Sequence, residues 1–330
     1  MGRQLWDAEP AFAAKMTECE GALAPYVDWS LSRVVRGDTD ASWWERVDVV
    51  QPVSFAVMVS LAALWQAYGV APDAVLGHSQ GEIAAACVAG ALSLTDAAKI
   101  VALRSRVIAE GLAERGGMLS VAANDVRVRA DIEEVENWRG QAEIAAVNGP
   151  ASVVIAAEPG ILNSIEEFYR EQGVSTRVIP VNYASHSAHV ELVRQQIIDQ
   201  IGEIESRTPV IPWHSTLDVG WISAPVDAEY WYRNLRNQVK FAQAARSLIG
   251  EGFATFIECS SHPVLTPAVA EIFDEMKVSH GFAGGTLRRD DGNRERFLHA
   301  LAEVFVRGGG VDWGAVVSSV GAGVSGGAVV

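Results

Sequence analysis

The chain has 330 residues, 49% of them hydrophobic and 20% charged, with a net charge of −15 and a pI near 4.9. That is the composition of a globular protein of one or two domains with a sizeable core, and its acidity argues against broad affinity for nucleic acid or an anionic membrane. Cys19, Cys87 and Cys259 are far apart, odd in number and without metal-ligand spacing. Neither a disulfide framework nor a metal site is expected, and a reducing cytoplasm fits.

In chain order, the N-terminal "MGRQLWDAEP" has no apolar signal segment. Residues 8–35 read as helical, broken at Pro25. A long buried helix is predicted from about Pro52 to Tyr68, its apolar run Phe55–Trp65 being too short to span a bilayer. A short strand follows at 74–76, then a glycine-serine turn, the helix "GEIAAACVAGAL", and a second helix capped by Ser93 or Thr95. From Gly116 the pattern becomes strand, helix, strand, strand, helix, strand, with a turn at Asn148-Gly149-Pro150. That is the ferredoxin-like split unit, over about 117–183. Residues 314–330, ending in "VSSVGAGVSGGAVV", read as an unstructured, flexible tail.

The turn Gly77-His78-Ser79-Gln80-Gly81 fits G-x-S-x-G between a predicted strand and a predicted helix, the context of a nucleophile elbow. Glycines are expected on both sides because the turn is tight. Ser79 would stand at a helix N-terminus, where the Gln80 N–H could stabilise an oxyanion. The bland reading is a turn with a capping serine. A nucleophilic serine needs a base, and seven histidines are available. His186 and His262 lie in loops after apolar strands. His189, His280 and His299 read as surface residues, and His78 points the wrong way in an elbow. The residues alone do not choose among them.

Arg104 is the second polar feature. At about 100° per residue, Ala97, Ile100, Val101, Val107 and Ile108 all lie within about 60° of it, whereas Arg106 is about 200° away. A guanidinium on a buried face needs an anionic partner. That partner is either a buried Asp or Glu, or the carboxylate of a substrate held by two parallel hydrogen bonds.

Together "RVDVVQPVSFAVMVSLAALW", "GVAPDAVLGHSQGEIAAACVAGALSLTDAAKIVALRS", "GGMLSVAA", "AAVNGPASVVIA", "VNYASHSAHVE", "WYRNLRNQVKFAQA" and "FIECSSHPVL" make a signature. The chain resembles the acyltransferase domain of modular type I polyketide synthases, which is similar to malonyl-CoA:ACP transacylase. The resemblance implies an α/β-hydrolase-like core over 1–116 and 184–285, an inserted ferredoxin-like subdomain over 117–183, and a post-acyltransferase linker over 286–313. Family members carry a strand and turn like "FVFPGQGSQW" just upstream of the "MGRQL" region, and its glutamine gives a second oxyanion donor. That strand is not in this sequence, so the activity of the chain by itself is an open expectation.

By resemblance, Ser79 would be the nucleophile and His186 of "YASH" the base. The other ring nitrogen of His186 would be oriented by a backbone carbonyl, expected in the loop around His262. Arg104 would bind the free carboxylate of a malonyl-type unit. Gln51 of "RVDVVQ", Gln80, and Tyr183 and Ser185 of "YASH" look like the methylmalonyl-selective form, since malonyl-selective members carry "HAFH" and Ser185 leaves room for an α-methyl group. No bound cofactor is implied. The substrates would be methylmalonyl-CoA, a CoA thioester, and the phosphopantetheine thiol of an acyl carrier protein, with the ketosynthase and its linker as further partners. Two rival readings are a serine hydrolase of thioesterase type, which gives Arg104 no job, and a fragment that docks partner domains without acylating Ser79.

Overall fold

The computed structural model describes residues 2–321. Its first layer is helical: α1 (Arg3–Ala8), α2 (Pro10–Leu23), α3 (Leu31–Arg36), a 3₁₀ turn (Ala41–Glu45) and α4 (Val47–Ala67). Pro25 follows the end of α2, as the sequence suggests. α4 starts earlier than the predicted Pro52, which lies inside it. Pro52 is the sixth residue of α4, where it cannot make the bond back to the Asp48 carbonyl, and the helix is held across it by the burial of Val49, Val53 and Phe55. By length and composition α4 could cross a membrane, longer than the apolar run suggests. Instead Val49, Val53, Phe55, Leu61 and Leu64 are fully buried, and the helix packs against α2.

Strand β1 (Val75–Leu76) leads into α5 (Gly81–Val88) and α6 (Leu94–Gly111). Ser93 is the cap of α6, its Oγ accepting from the Asp96 N–H at 3.0 Å. Then come β2 (Gly117–Val121), α7 (Asp125–Glu134), β3 (Ala142–Gly149), β4 (Ser152–Ala157), α8 (Pro159–Glu171) and β5 (Thr176–Ile179). These four strands form one antiparallel sheet in the order β3-β4-β2-β5, the ferredoxin-like arrangement. One face packs with α7 and α8 around Leu119, Val128, Ile155, Ile165 and Tyr169. The other, through Ala145, Ala146, Val154 and Ala156, packs against later helices of the core.

The chain continues through a 3₁₀ turn (Ala188–Val193), α9 (Arg194–Ile201), β6 (Trp213–Ser215), β7 (Gly220–Trp221), α10 (Ala228–Arg236), α11 (Phe241–Gly250), β8 (Thr255–Glu258), α12 (Thr266–Glu275), β9 (Phe282–Gly285), α13 (Arg294–Phe305) and α14 (Trp313–Gly321). β1 pairs in parallel with β6, and β8 in parallel with β9. Short parallel strands covered by helices are the α/β-hydrolase-like part of the fold. α13 joins the main core through Phe297 and Leu301, and Arg294 Nε donates to the buried Glu9 at 2.6 Å. The expectation of an unstructured segment from residue 314 is corrected up to Gly321. Val316 is a buried anchor on α14, whose helix an alternation of Val and Gly/Ser conceals. The rest of that segment lies outside the described residues.

Candidate active site

The site is built on the turn between β1 and α5. Ser79 has φ +52°, in the left-handed region that a serine occupies only when its surroundings impose it. The Gly81 N–H donates to the His78 carbonyl at 2.8 Å and the Glu82 N–H to the Ser79 carbonyl at 3.0 Å, so α5 begins directly on Ser79. Only one flanking glycine is sterically demanded. A Cβ at Gly77 would lie 2.3 Å from Glu82 Cα, whereas one at Gly81 would meet only Met58 Sδ at 4.0 Å. The symmetric expectation for the two glycines is therefore corrected: α5 crosses over the strand end and leaves its own first residue in the open. No hydrogen bond from the Gln80 amide N–H is found among the described residues. It stands at the N-cap of α5, where an oxyanion would be stabilised.

Ser79 Oγ lies 2.8 Å from His186 Nε2. His186 Nδ1 lies 2.8 Å from the carbonyl of Asn237. A carbonyl only accepts, so Nδ1 carries the proton, Nε2 is the acceptor, and the serine hydroxyl donates to it. The expectation that the His262 loop supplies this carbonyl is corrected. His262 is exposed, its Nδ1 accepts from the Arg289 N–H at 3.2 Å, and Glu258 ties its loop to the start of α12 through the N–H groups of Leu265 and Thr266. The orienting group is the chain just after α10. His186 also has positive φ (+58°), and its N–H donates to the Leu235 carbonyl at 2.8 Å. Burial pushes its imidazole down to about 3, partly offset by the Asn237 carbonyl, so it is neutral. His78 turns away from the serine, with Nε2 2.7 Å from Asn148 Oδ1 at the end of β3. It ties the elbow to the inserted sheet.

Arg104 is 1% exposed, on the buried face predicted for it, while Arg106 is exposed. Its Nη1 donates to Asn234 Oδ1 at 2.8 Å. Its Nε and Nη2 are buried with no partner among the described residues. Burial lowers this guanidinium to about 10, against the raising influence of Tyr183 and Glu82. No Asp or Glu among the described residues makes an ion pair with it, which leaves the first of the two alternatives without a partner residue. Gln51 Nε2 donates to the Tyr183 hydroxyl at 3.2 Å, bringing together two of the residues singled out by the sequence motifs. The carbonyl oxygens of the Gln51 and Gln80 side chains are buried and unpartnered among the described residues. Ser185 is 6% exposed, and its hydroxyl is 3.4 Å from Met118 Sδ.

Three contributors escaped the sequence reading: Asn237, Asn234 and Glu82. Glu82 is fully buried. It accepts from the Thr216 N–H, the Tyr230 hydroxyl at 2.7 Å and Asn234 Nδ2 at 3.1 Å, and lies 2.7 Å from Thr216 Oγ1. Burial pushes this carboxyl up while those donors pull it back. Asn234 shares a helix face with Tyr230 and Trp231, so the facing argument applied to Arg104 would have found it.

Such a site can form an ester on a serine with a neutral imidazole as base, beside a cation that lacks an anion. Comparison with known proteins shows the family. The family described as "Acyl transferase domain" matches residues 1–311. The pikromycin polyketide synthase component PikAII of Streptomyces venezuelae is 50% identical over 319 residues, covering 96% of this chain and 8% of that protein. The erythronolide synthase EryA2 of Saccharopolyspora erythraea is 45% identical over 315 residues, 95% of this chain and 9% of that protein. The chain thus spans less than a tenth of the length of these two relatives. The acyltransferase domain from module 8 of the salinomycin polyketide synthase superposes with a TM-score of 0.92 at 48% identity, covering 96% of this chain and 74% of that one. A loading acyltransferase from the avermectin modular polyketide synthase gives 0.86 at 43% identity, covering 92% and 95%. The chain belongs to the acyl transferase domain family, as an acyltransferase domain of the modular polyketide synthase type.

Proposed function

We propose that this domain moves a (2S)-methylmalonyl unit from CoA to the phosphopantetheine thiol of an acyl carrier protein, through an ester on Ser79. Ser79 Oγ attacks the thioester carbon while His186 Nε2 takes its proton, and the oxyanion that forms faces the Gln80 N–H. The C–S bond then breaks, and the proton on His186 goes to the CoA sulfur. In the second half the carrier thiol gives its proton to His186 and attacks the ester carbon. The C–O bond breaks and the proton returns to Ser79. Negative charge arriving beside the imidazole raises its basicity when it is needed. Backbone orientation through Asn237 keeps the correct tautomer.

The observation that carries the reading is Arg104, fully buried beside the elbow with two N–H groups unpartnered among the described residues. A carboxylate fits two parallel donors and supplies the missing charge. A thioesterase acting on neutral acyl groups leaves that cation without a purpose. In this reading the small side chain of Ser185, next to His186 in the chain, makes room for the α-methyl group, and Gln51, bonded to Tyr183, belongs to the same selectivity pattern. One methyl is worth about 1–3 kcal/mol, so the choice over malonyl is a preference. In this reading the carrier protein and the ketosynthase with its linker are the partners, in the cytoplasm, in polyketide assembly.

The test is Arg104→Ala, comparing Ser79 acylation by methylmalonyl-CoA and by propionyl-CoA. Acylation by the carboxylated substrate should fall at least 100-fold, and the neutral one should gain relative to it. Equal losses for both would overturn the assignment.

A further inference from the structure

Asn234 sits on the buried face of α10 and is 3% exposed. Its side-chain amide touches three groups of the site at once. Oδ1 accepts from Arg104 Nη1 at 2.8 Å, while Nδ2 lies 3.1 Å from Glu82 Oε2 and 3.3 Å from the Ser79 carbonyl. The orientation of the amide follows from these partners. Two acceptors face the two hydrogens of Nδ2, and a guanidinium that can only donate faces Oδ1; a flipped amide would set donor against donor. Glu82 is itself fixed by Thr216 and by Tyr230, one turn before Asn234 on the same helix. The amide is therefore held from behind by a buried carboxylate that is itself bonded to Thr216 and Tyr230.

This has a consequence for Arg104. A guanidinium offers a carboxylate either its end, Nη1 with Nη2, or its side, Nε with Nη2. Asn234 already engages Nη1, so a carboxylate at the end would have to share that nitrogen with it. The side remains, and its two nitrogens are the ones buried without a partner among the described residues. The same amide also binds the carbonyl of the nucleophile residue. Distance and rotation between the carboxylate-binding edge and Ser79 are thus set through one side chain.

We infer that Asn234 is a positioning residue that turns the side edge of Arg104 toward the acyl group and so creates the selectivity for carboxylated acyl units. The inference rests on the reading proposed above for Arg104 and deepens it. Asn234 need not touch the substrate. It determines whether the buried cation presents two parallel N–H groups or a single misdirected one.

The experiment measures initial rates of Ser79 acylation, by intact mass, for wild type, Asn234→Ala and Asn234→Asp, with methylmalonyl-CoA and propionyl-CoA over a range of concentrations, alongside thermal unfolding. Asn234→Ala frees the guanidinium to rotate. Asn234→Asp keeps the shape and the acceptor toward Arg104 but sets a carboxyl oxygen, in place of the Nδ2 donor, against Glu82 and the Ser79 carbonyl; it decides the matter if the alanine variant does not fold. The expected result is at least a tenfold fall in the methylmalonyl-to-propionyl ratio of kcat/KM, with KM for methylmalonyl-CoA rising more than kcat falls. A folded variant whose ratio stays at the wild-type value overturns the inference, because a residue that serves only stability would slow both substrates alike. A wild-type enzyme with no preference for the carboxylated substrate would instead overturn the reading of Arg104 itself.

Discussion

Gly77→Ala and Gly81→Ala separate the geometry of the elbow from the motif that describes it. An ideal Cβ at Gly77 would lie 2.3 Å from Glu82 Cα, 2.4 Å from Glu82 N and 2.6 Å from Gly81 C. Carbon atoms are at ease near 3.5–4.0 Å, so the first turn of α5 must withdraw by about 1 Å. All three obstacles are backbone, and none can swing aside. Overpacking of this kind costs about 1–3 kcal/mol. The withdrawal also drags Glu82 from the Thr216 N–H and from Asn234, two buried hydrogen bonds at about 1 kcal/mol each. The expected destabilisation is about 3–5 kcal/mol in urea unfolding, with Ser79 acylation severely reduced. Gly81→Ala meets only Met58 Sδ at 4.0 Å. It should leave stability unchanged or raise it by up to about 1 kcal/mol, the helix propensity of alanine over glycine. Equal damage from both substitutions, or wild-type stability in Gly77→Ala, would refute the steric reasoning.

Further outcomes follow from the buried polar groups. The His186 imidazole is held near 3, against about 6.5 in the unfolded chain. Between those values the unfolded state binds the extra proton, so this group removes stability as pH falls below about 6.5, and contributes nothing above it. Correspondingly, kcat/KM for acylation, which reports the free protein, should show no acidic limb between pH 6 and 7; a limb at 6.5 would contradict a desolvated base. Glu82→Ala strips an acceptor from the Thr216 N–H, the Tyr230 hydroxyl and the Asn234 amide. At about 1–3 kcal/mol for each unsatisfied buried donor, a loss of about 3 kcal/mol or more is expected in chemical unfolding, with Glu82→Gln losing less. Ser185→Phe should shift the choice toward malonyl-CoA by about 10- to 200-fold, the worth of one methyl group, measured by competition between the two thioesters.

Much of this site is written in local patterns. The elbow is legible because strand, glycine turn and helix are contiguous around Ser79. Arg104 is legible because helical periodicity places it among Ala97, Ile100, Val101, Val107 and Ile108. His186 is different: nothing local separates it from His262, and only its likeness to a known motif selects it. What escapes depends on backbone or on distant pairing. The carbonyl that orients His186 belongs to Asn237, 51 residues away, and a carbonyl has no residue type to betray it. Glu82 hides because an acidic residue in a first helical turn already has an ordinary reason to be there, the helix dipole. Asn234 hides inside "WYRNLRNQVKF" among other polar residues, although its spacing from Tyr230 and Trp231 places it inward. The start of α4 before Pro52 and the helix ending at Gly321 escape for a shared reason, since proline and glycine discourage helices only where no tertiary packing opposes them.

The most direct test of the central claim is intact mass after brief incubation of the chain with methylmalonyl-CoA, malonyl-CoA and acetyl-CoA, beside Ser79→Ala. A gain of one methylmalonyl group is expected, absent in the variant and weaker with the other two thioesters. A well-folded protein that takes up no acyl group, or takes it up equally well without Ser79, would contradict it.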